Sequence, residues 1–328
     1  LQQSLKKYEK GFMNPNIEKK DVMLAWNLIQ SAGKITLLTH HKPDADGISA
    51  CAALAHILQK IGKQLETIYP SKPEFPLKRV AQTELVASHT QIPELLIACD
   101  TANYDRLYYP EAFHNIPLIN IDHHISNSLN GKFNFLDFTA SSTCEVVYRL
   151  ICQWDKTLLD SYVAECLLMG ILYDSQVFHT QATSPQTLRT AADLMELGAN
   201  LFELKSELLS NKSPGVIALW GKILETVQLS ANKKAAWVSI SQDDLKKYNV
   251  GFNSLIGFSN FLWEISGVDV TLVFYETEKR QTKVSLRSKE FDVNQLAKQF
   301  GGGGHKNAAG ILSPLPLLEL VKAITAKL

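Results

Sequence analysis

From about residue 18 onward, short apolar and β-branched runs alternate with longer segments of helical period, and that alternation leaves few folds open. "VMLAWNLIQ" reads as helix, "KITLLTH" as a buried strand, and "GISACAALAHILQKIG" as a helix closed by Gly62. "LETIYP", "ELLIACD" and "PLINIDHH" follow as strand candidates. A repeated β-α-β order predicts an α/β fold, a parallel sheet sandwiched by helices. In such sheets ligands collect beyond the carboxyl ends of the strands. Asp44, Asp46, Asp100, Asp122 and His123 fall at or just past those ends and should converge.

"SSTCEVVYRLICQWD" offers Ser142 or Thr143 as an N-cap ahead of Glu145, and "SYVAECLLMGILYDSQVF" continues as an apolar helix ending in Asp174. Two further helices, near 184–197 and 213–230, lead out of the first domain, with "SNKSPG" at 210–215 as the boundary. Beyond it "AAWVSIS", "VDVTLVFYE" and "TKVSLRS" are strand-like, and "DVNQLAKQF" and "LPLLELVKAITAKL" helical, which predicts a smaller α+β unit. The expected domains are 18–209, a linker or hinge helix over 210–230, and 231–328, with a substrate cleft between the two domains. The 328 residues suffice for two such cores.

Thirty-three basic residues balance thirty-three acidic ones, so no global positive field exists to hold a long polyanion. A local phosphate pocket stays open. The five cysteines form no CxxC pair and most lie in apolar runs, the pattern of buried thiols in a reducing compartment. No apolar run reaches the roughly 18 residues of a membrane span, and the start, "LQQSLKKYEKGF", is polar and unlike a signal peptide. A cytoplasmic protein is expected.

Five constellations carry chemistry. "THHKPDADG" places His40, Asp44 and Asp46 on one loop, an oxygen-rich, nitrogen-poor set suited to Mn²⁺ or Mg²⁺; a plain polar turn whose aspartates cap the next helix would look the same. "NIDHH" adds Asp122, His123 and His124. Nine histidines in 328 residues would give about 0.2 adjacent pairs by chance, and this chain has two, both at predicted strand ends. Asp100 and Asp174 each end an apolar run, where an unpaired carboxylate would need cations or donors close by, or would serve as a cap. In "FGGGGHKNAAG", Gly302, Gly303 and Gly304 with their neighbour Gly301 read as a backbone nest for phosphate rather than as packing residues, with charge from His305 and Lys306; a flexible linker is the alternative. Just upstream, Arg287 and Ser288 supply a fork-shaped donor and a hydroxyl suited to phosphate, or simply end a strand.

In order and spacing, "HHKPDADG", "ACDTA", "IDHH" and "LYDSQVF" resemble the four motifs of the DHH phosphoesterases, and "KVSLRSKEFDVNQLAKQFGGGGHKNAAG" resembles their DHH-associated C-terminal domain. The layout is most similar to the oligoribonuclease and 3′-phosphoadenosine-5′-phosphate phosphatase group. The resemblance implies two divalent ions, Mn²⁺ first, with Mg²⁺ or Co²⁺ as substitutes. His40, Asp44 and Asp100 would hold one; Asp46, Asp100, His123 and Asp174 the other. Asp122 would orient the histidines, His124 would face the phosphate as proton donor or charge stabiliser, and Arg287, Ser288, His305 and the glycine run would hold the nucleotide. Three positions depart from the family pattern: Gly47 where many members carry alanine, and Gln176 and His179 in place of a glycine and an arginine.

The implied reaction is in-line attack by a hydroxide activated by two metal ions on a 3′-phosphomonoester or a short 3′–5′ diester. Its partners are short RNA oligonucleotides, nucleotide bisphosphates or dinucleotides, with no long nucleic acid and no membrane, and a homodimer is compatible with it. A cyclic-di-AMP or linear-dinucleotide (pApA) phosphodiesterase shares every motif and stands as the alternative. A RecJ-type long-strand exonuclease lacks the added domain and basic surplus it would need. A nucleotide-binding regulator with a decayed site would require missing ligands, and none is missing.

Overall fold

The apolar runs become two separate sheets in the computed structural model, which describes residues 17–69, 85–86, 88–209, 212–251, 255 and 258–328. The polar start, residues 210–211 of the expected boundary and the side chain of His305 lie outside the described residues. The chain divides into two units, Leu1–Ser210 and Asn211–Leu328.

In the first unit, strands β1 (Lys34–Leu38), β2 (Gln64–Ile68), β3 (Leu85–Val86), β4 (Leu95–Cys99), β5 (Leu118–Asp122) and β6 (Phe133–Leu136) form one all-parallel sheet in the order β3-β2-β1-β4-β5-β6. Helices α1 (Lys19–Ser31), α2 (Ala45–Lys60), α3 (Thr143–Trp154), α4 (Ser161–Asp174), α5 (Pro185–Glu196) and α6 (Leu201–Leu209) complete it. Ile35, Leu37, Ile97, Ile119 and Ile121 face a core shared with α2, α3 and α4, while Leu38, Ile68, Leu96, Ala98 and Leu118 face a second core around Phe113. Burial on both faces explains why these strands read as continuous apolar runs rather than alternating ones.

Helix α2 begins beneath the carboxyl end of β1 because Asp44 caps it, its Oδ1 accepting from the N–H groups of Asp46 (3.0 Å) and Gly47 (3.2 Å). Helix α3 begins beside it with Ser142 as the N-cap, accepting from Glu145 N–H at 3.1 Å. Gly170 in α4 lets three elements meet: a Cβ there would overlap Cys144 Sγ and crowd Asp46 Oδ1. The loop before α3 is pinned by the buried Arg149 guanidinium, which donates to Asp137 and Glu145. Glu145 also accepts from Ser141 N–H at 2.9 Å and Thr187 Oγ1 at 2.9 Å.

The second unit holds α7 (Pro214–Leu224), β7 (Gln228–Leu229), β8 (Ala235–Ile240), α8 (Gln242–Lys247), α9 (Phe258–Trp263), β9 (Val270–Glu276), β10 (Thr282–Ser288), α10 (Val293–Lys298), β11 (Gly303–His305), β12 (Ala308–Ser313) and α11 (Leu317–Thr325). Its sheet order is β11-β12-β10-β9-β8-β7, with β8 and β9 parallel and the other pairs antiparallel. The helix expected over 213–230 ends at Leu224, because Gln228 and Leu229 pair as a strand with Trp237 and Ala236. The glycine run also departs from expectation. A Cβ at Gly302 would overlap Gly310 O and one at Gly304, φ +152°, would overlap Ala308 O, so these two glycines do serve packing, in the β11–β12 hairpin. Gly301 and Gly303 stand open.

Candidate active site

The carboxyl ends of β1, β4 and β5 and the N-termini of α2 and α3 deliver the acidic and imidazole groups to one place. Asp46, fully buried, accepts from Thr143 N–H (2.6 Å) through Oδ2 and from Cys144 N–H (3.0 Å) through Oδ1. Asp100 stands in the left-handed region at φ 57°, with Oδ1 accepting from Thr143 Oγ1 at 3.1 Å. Its Oδ2 lies 3.5 Å from His40 Nε2, and its Oδ1 lies 3.8 Å from His123 Nε2 and 3.5 Å from His124 Nδ1. Asp44 keeps Oδ1 for the cap and turns Oδ2 to within 3.7 Å of His40 Nε2. The oxygen that caps the helix thus leaves the other oxygen of the same side chain facing the imidazole.

His123 Nε2 lies 3.0 Å from Asp174 Oδ2 at the end of α4. Asp122 accepts through Oδ1 from the N–H groups of His123 (2.7 Å) and His124 (3.2 Å) and from His124 Nδ1 (2.8 Å). Its Oδ2 accepts from Asn127 Nδ2 at 2.6 Å. Three sets of potential ligand atoms lie within 4.8 Å of one another: His40, Asp44 and Asp100; Asp46, His123 and Asp174; and Asp100, Asp122, His123 and His124. The structure therefore brings together all eight of the acidic and imidazole groups singled out in the first unit.

The donor set fits divalent cations. His123 Nε2 is buried and makes no aligned hydrogen bond despite the nearby Asp174 oxygen. Two donor atoms side by side but not aimed at each other suit a shared third body between them. The ion pairs recorded for Asp44, Asp100, Asp122 and Asp174 among the described residues are all to imidazoles.

Without a cation, ring protons take that role. Burial opposes a charge on His123, but the adjacent carboxylate of Asp174, with the fields of Asp100 and Asp46, raises its pKa to about 10. Against the same opposition, Asp100 and Asp44 raise His40 to about 10. Arg106 Nη2 stands 2.8 Å from His40 Nδ1, on the far side of the ring from these carboxylates. Burial, then the fields of Asp174 and Asp100, push the Asp46 carboxyl well above the usual range, and burial lifts Asp174 to about 6. Burial also works against the charges on Asp100 and Asp122, yet the neighbouring imidazoles hold both below the ordinary value. The hydrogen bond to Asp122 raises His124.

In the second unit the expected phosphate groups separate. Alternation along β10 puts Arg287 and Ser288 on opposite faces. The Ser288 hydroxyl is fully buried without a hydrogen-bond partner, so it presents nothing to a ligand beside Arg287. Arg287 donates to Leu286 O at 3.1 Å, and burial lowers its pKa. Three residues of the first unit escaped the sequence reading. Thr143 was legible only as a possible cap, and neither Asn127 nor Arg106 belongs to a spacing that signals its role.

Residues 34–171 match the model of the DHH family, N-terminal domain, and residues 249–328 that of the DHHA1 domain. The bifunctional oligoribonuclease and PAP phosphatase NrnA of Bacillus subtilis is 31% identical over 278 residues, 84% of this chain and 88% of the relative. The protein of the same name from Thermus thermophilus is 28% identical, over 90% of this chain and 89% of its own. In fold, the chain is similar to a crystal structure of an exopolyphosphatase-related protein from Bacteroides fragilis, with a TM-score of 0.87 at 23% identity, covering 96% of this chain and 98% of that one. Fold, donor set and relatives define a hydrolase acting on phosphoester bonds. The chain belongs to the DHH phosphoesterase family.

Proposed function

We propose that the chain hydrolyses short oligoribonucleotides to mononucleotides and 3′-phosphoadenosine 5′-phosphate to AMP and phosphate, with two divalent cations, Mn²⁺ by preference. The observation that carries this reading is the sharing of Asp100 between the His40–Asp44 group and the His123 group, beside Asp46 and Asp174. The names of the relatives supply the substrate class. His40, Asp44 and Asp100 would hold one cation, and Asp46, Asp100, His123 and Asp174 the other. When bound, the pair supplies an activated water-derived nucleophile and charge stabilisation at the phosphate.

The chain's own residues do the rest. Asp122 holds His124 through Nδ1–H and raises its basicity, which leaves the proton on Nε2 for the departing 3′-oxygen. Thr143 and the first turn of α3 fix Asp46 and Asp100 by hydrogen bonds that do not use the imidazoles. Within the second unit, Arg287 and the glycine run with His305 are the groups offered to a nucleotide phosphate. Zero net charge supports short substrates over long strands. The five unpaired cysteines suit a reducing cytoplasm, and no helix among the described residues is long and apolar enough to cross a membrane.

The test is turnover with Mn²⁺ on one preparation, comparing 3′-phosphoadenosine 5′-phosphate, two- to five-residue RNAs, pApA and cyclic-di-AMP. Hydrolysis of the first two is expected. Turnover confined to pApA or cyclic-di-AMP would replace this reading with the dinucleotide phosphodiesterase, and no turnover of any would remove it.

A further inference from the structure

The segment that follows Asp100 carries a line of aromatic rings with no part in the acidic and imidazole set. Thr101 O accepts from Asn127 Nδ2 at 2.9 Å and Ala102 O from Ser128 N–H at 2.7 Å, so the segment lies along the loop that follows His123 and His124. A 3₁₀ turn, Tyr104–Arg106, comes next. Arg106 O accepts from His41 N–H at 2.6 Å, which ties the turn to the His40–Asp44 loop as well. Tyr104 is thus anchored between the two loops that bring the imidazoles to the site. Its Cα is four residues from that of Asp100, at most about 14 Å away, within reach of the base of a nucleotide held at Asp100 by its phosphate.

Three rings stand in series. The centroids of Tyr104 and Tyr109 are 4.8 Å apart with planes at 52°, and Tyr109 stacks on His114 at 5.5 Å and 22°. Tyr109, like Tyr108, packs against the core around the buried Phe113, which accounts for its position. Tyr104 stands outside that core, with 37% of its surface exposed. Its hydroxyl makes one long contact, 3.4 Å to Asn130 O. Neither burial nor hydrogen bonding therefore explains a tyrosine here. Backed by Tyr109, the ring is a rigid aromatic surface that loses little conformational freedom when a flat partner lands on it.

We infer that Tyr104 is a stacking platform for the nucleobase of the substrate, with Tyr109 and His114 holding it in place from behind. The inference rests on the function proposed above and deepens it. Every base has a π-face, so stacking binds purines and pyrimidines alike and sets no sequence requirement. That suits an enzyme that must clear short RNAs of any sequence and also accept a single bisphosphate. It also supplies affinity without basic side chains, in keeping with thirty-three basic residues balanced by thirty-three acidic ones.

The experiment compares wild type, Tyr104→Ala and Tyr104→Phe with Mn²⁺ on two substrates: 3′-phosphoadenosine 5′-phosphate and the tetrahydrofuran abasic 3′,5′-bisphosphate, which keeps both phosphates and lacks the base. Wild type should show a lower KM for the adenosine compound. In Tyr104→Ala that KM should rise about 5- to 100-fold, the loss of one base–aromatic stack, and the gap between the two substrates should close. Tyr104→Phe keeps the ring and should stay within about threefold of wild type. Three results would overturn the inference while leaving the proposed function standing: a KM in Tyr104→Ala within about threefold of wild type, an equal rise on both substrates, or a Phe variant as impaired as Ala. A wild type that turns over neither bisphosphate nor any short RNA removes the function as well.

Discussion

Raising the pH from 6.5 to 8.5 should tighten Mn²⁺ binding steeply, because the cation must displace a proton from His123. That ring is raised from 6.5 to about 10, and a ligating imidazole must be neutral. At pH 7 removing the proton weakens binding by about 10³, or roughly 4 kcal/mol. Over the two-unit window, affinity should therefore rise about 100-fold, where a ring of ordinary basicity would give about twofold. The raised carboxyls of Asp46 and Asp174 steepen the dependence at its acid end. Calorimetry at several pH values, in buffers of different ionisation enthalpy, reads both the affinity and the protons released, expected to be one or more. The sign for stability is opposite. His123 has a folded pKa above its unfolded one, so its contribution to the metal-free protein is complete below about 6.5 and is lost as pH rises towards about 10. The metal-free protein should lose stability in that window, and the Mn²⁺-bound protein should not. An affinity that changes less than about threefold would refute the reasoning.

Asp100→Asn should abolish binding of both cations together, whereas Asp174→Asn should leave one Mn²⁺ per chain, a difference read from stoichiometry by titration. Gly47→Ala should destabilise the first unit by about 1–3 kcal/mol, since its Cβ would overlap Thr39 Oγ1 and press within 3.2 Å of Asp100 Oδ2. Denaturant unfolding should show that loss relieved in the Thr39→Ala, Gly47→Ala double variant; no rescue would mean the overlap is not the cause. Gln176→Gly should stabilise by about 1 kcal/mol, because Gln176, Val177 and Phe178 run consecutively through the left-handed region at φ 50°, 57° and 65°. A destabilised glycine variant would show that Gln176 makes compensating contacts.

The centre of the parallel sheet was legible because β1, β4 and β5 are buried on both faces and each ends in or beside a chemically distinctive residue: Leu38 leads to His40, Cys99 to Asp100, Ile121 to Asp122. Convergence then follows from topology, since parallel strands place all their carboxyl ends on one edge. What escaped was set by tertiary contact. The Asp46 carboxylate is held by backbone N–H groups of a helix 97 residues away in sequence, and backbone donors leave no residue signature. Arg106 reaches His40 across 66 residues. The glycine run misled for a related reason: glycine marks close approach to any backbone, and at Gly302 and Gly304 the approaching backbone is the chain's own β12. Arg287 and Ser288 read as a pair in the sequence, but adjacency in a strand puts them on opposite faces.

The central claim is that one carboxylate, Asp100, serves two cations. Anomalous scattering from a crystal grown with Mn²⁺ tests it most directly. The account expects two peaks about 3.5–4 Å apart, one beside His40 and Asp44, the other beside Asp46, His123 and Asp174, with Asp100 touching both. A single peak, or two peaks without Asp100 between them, would contradict it.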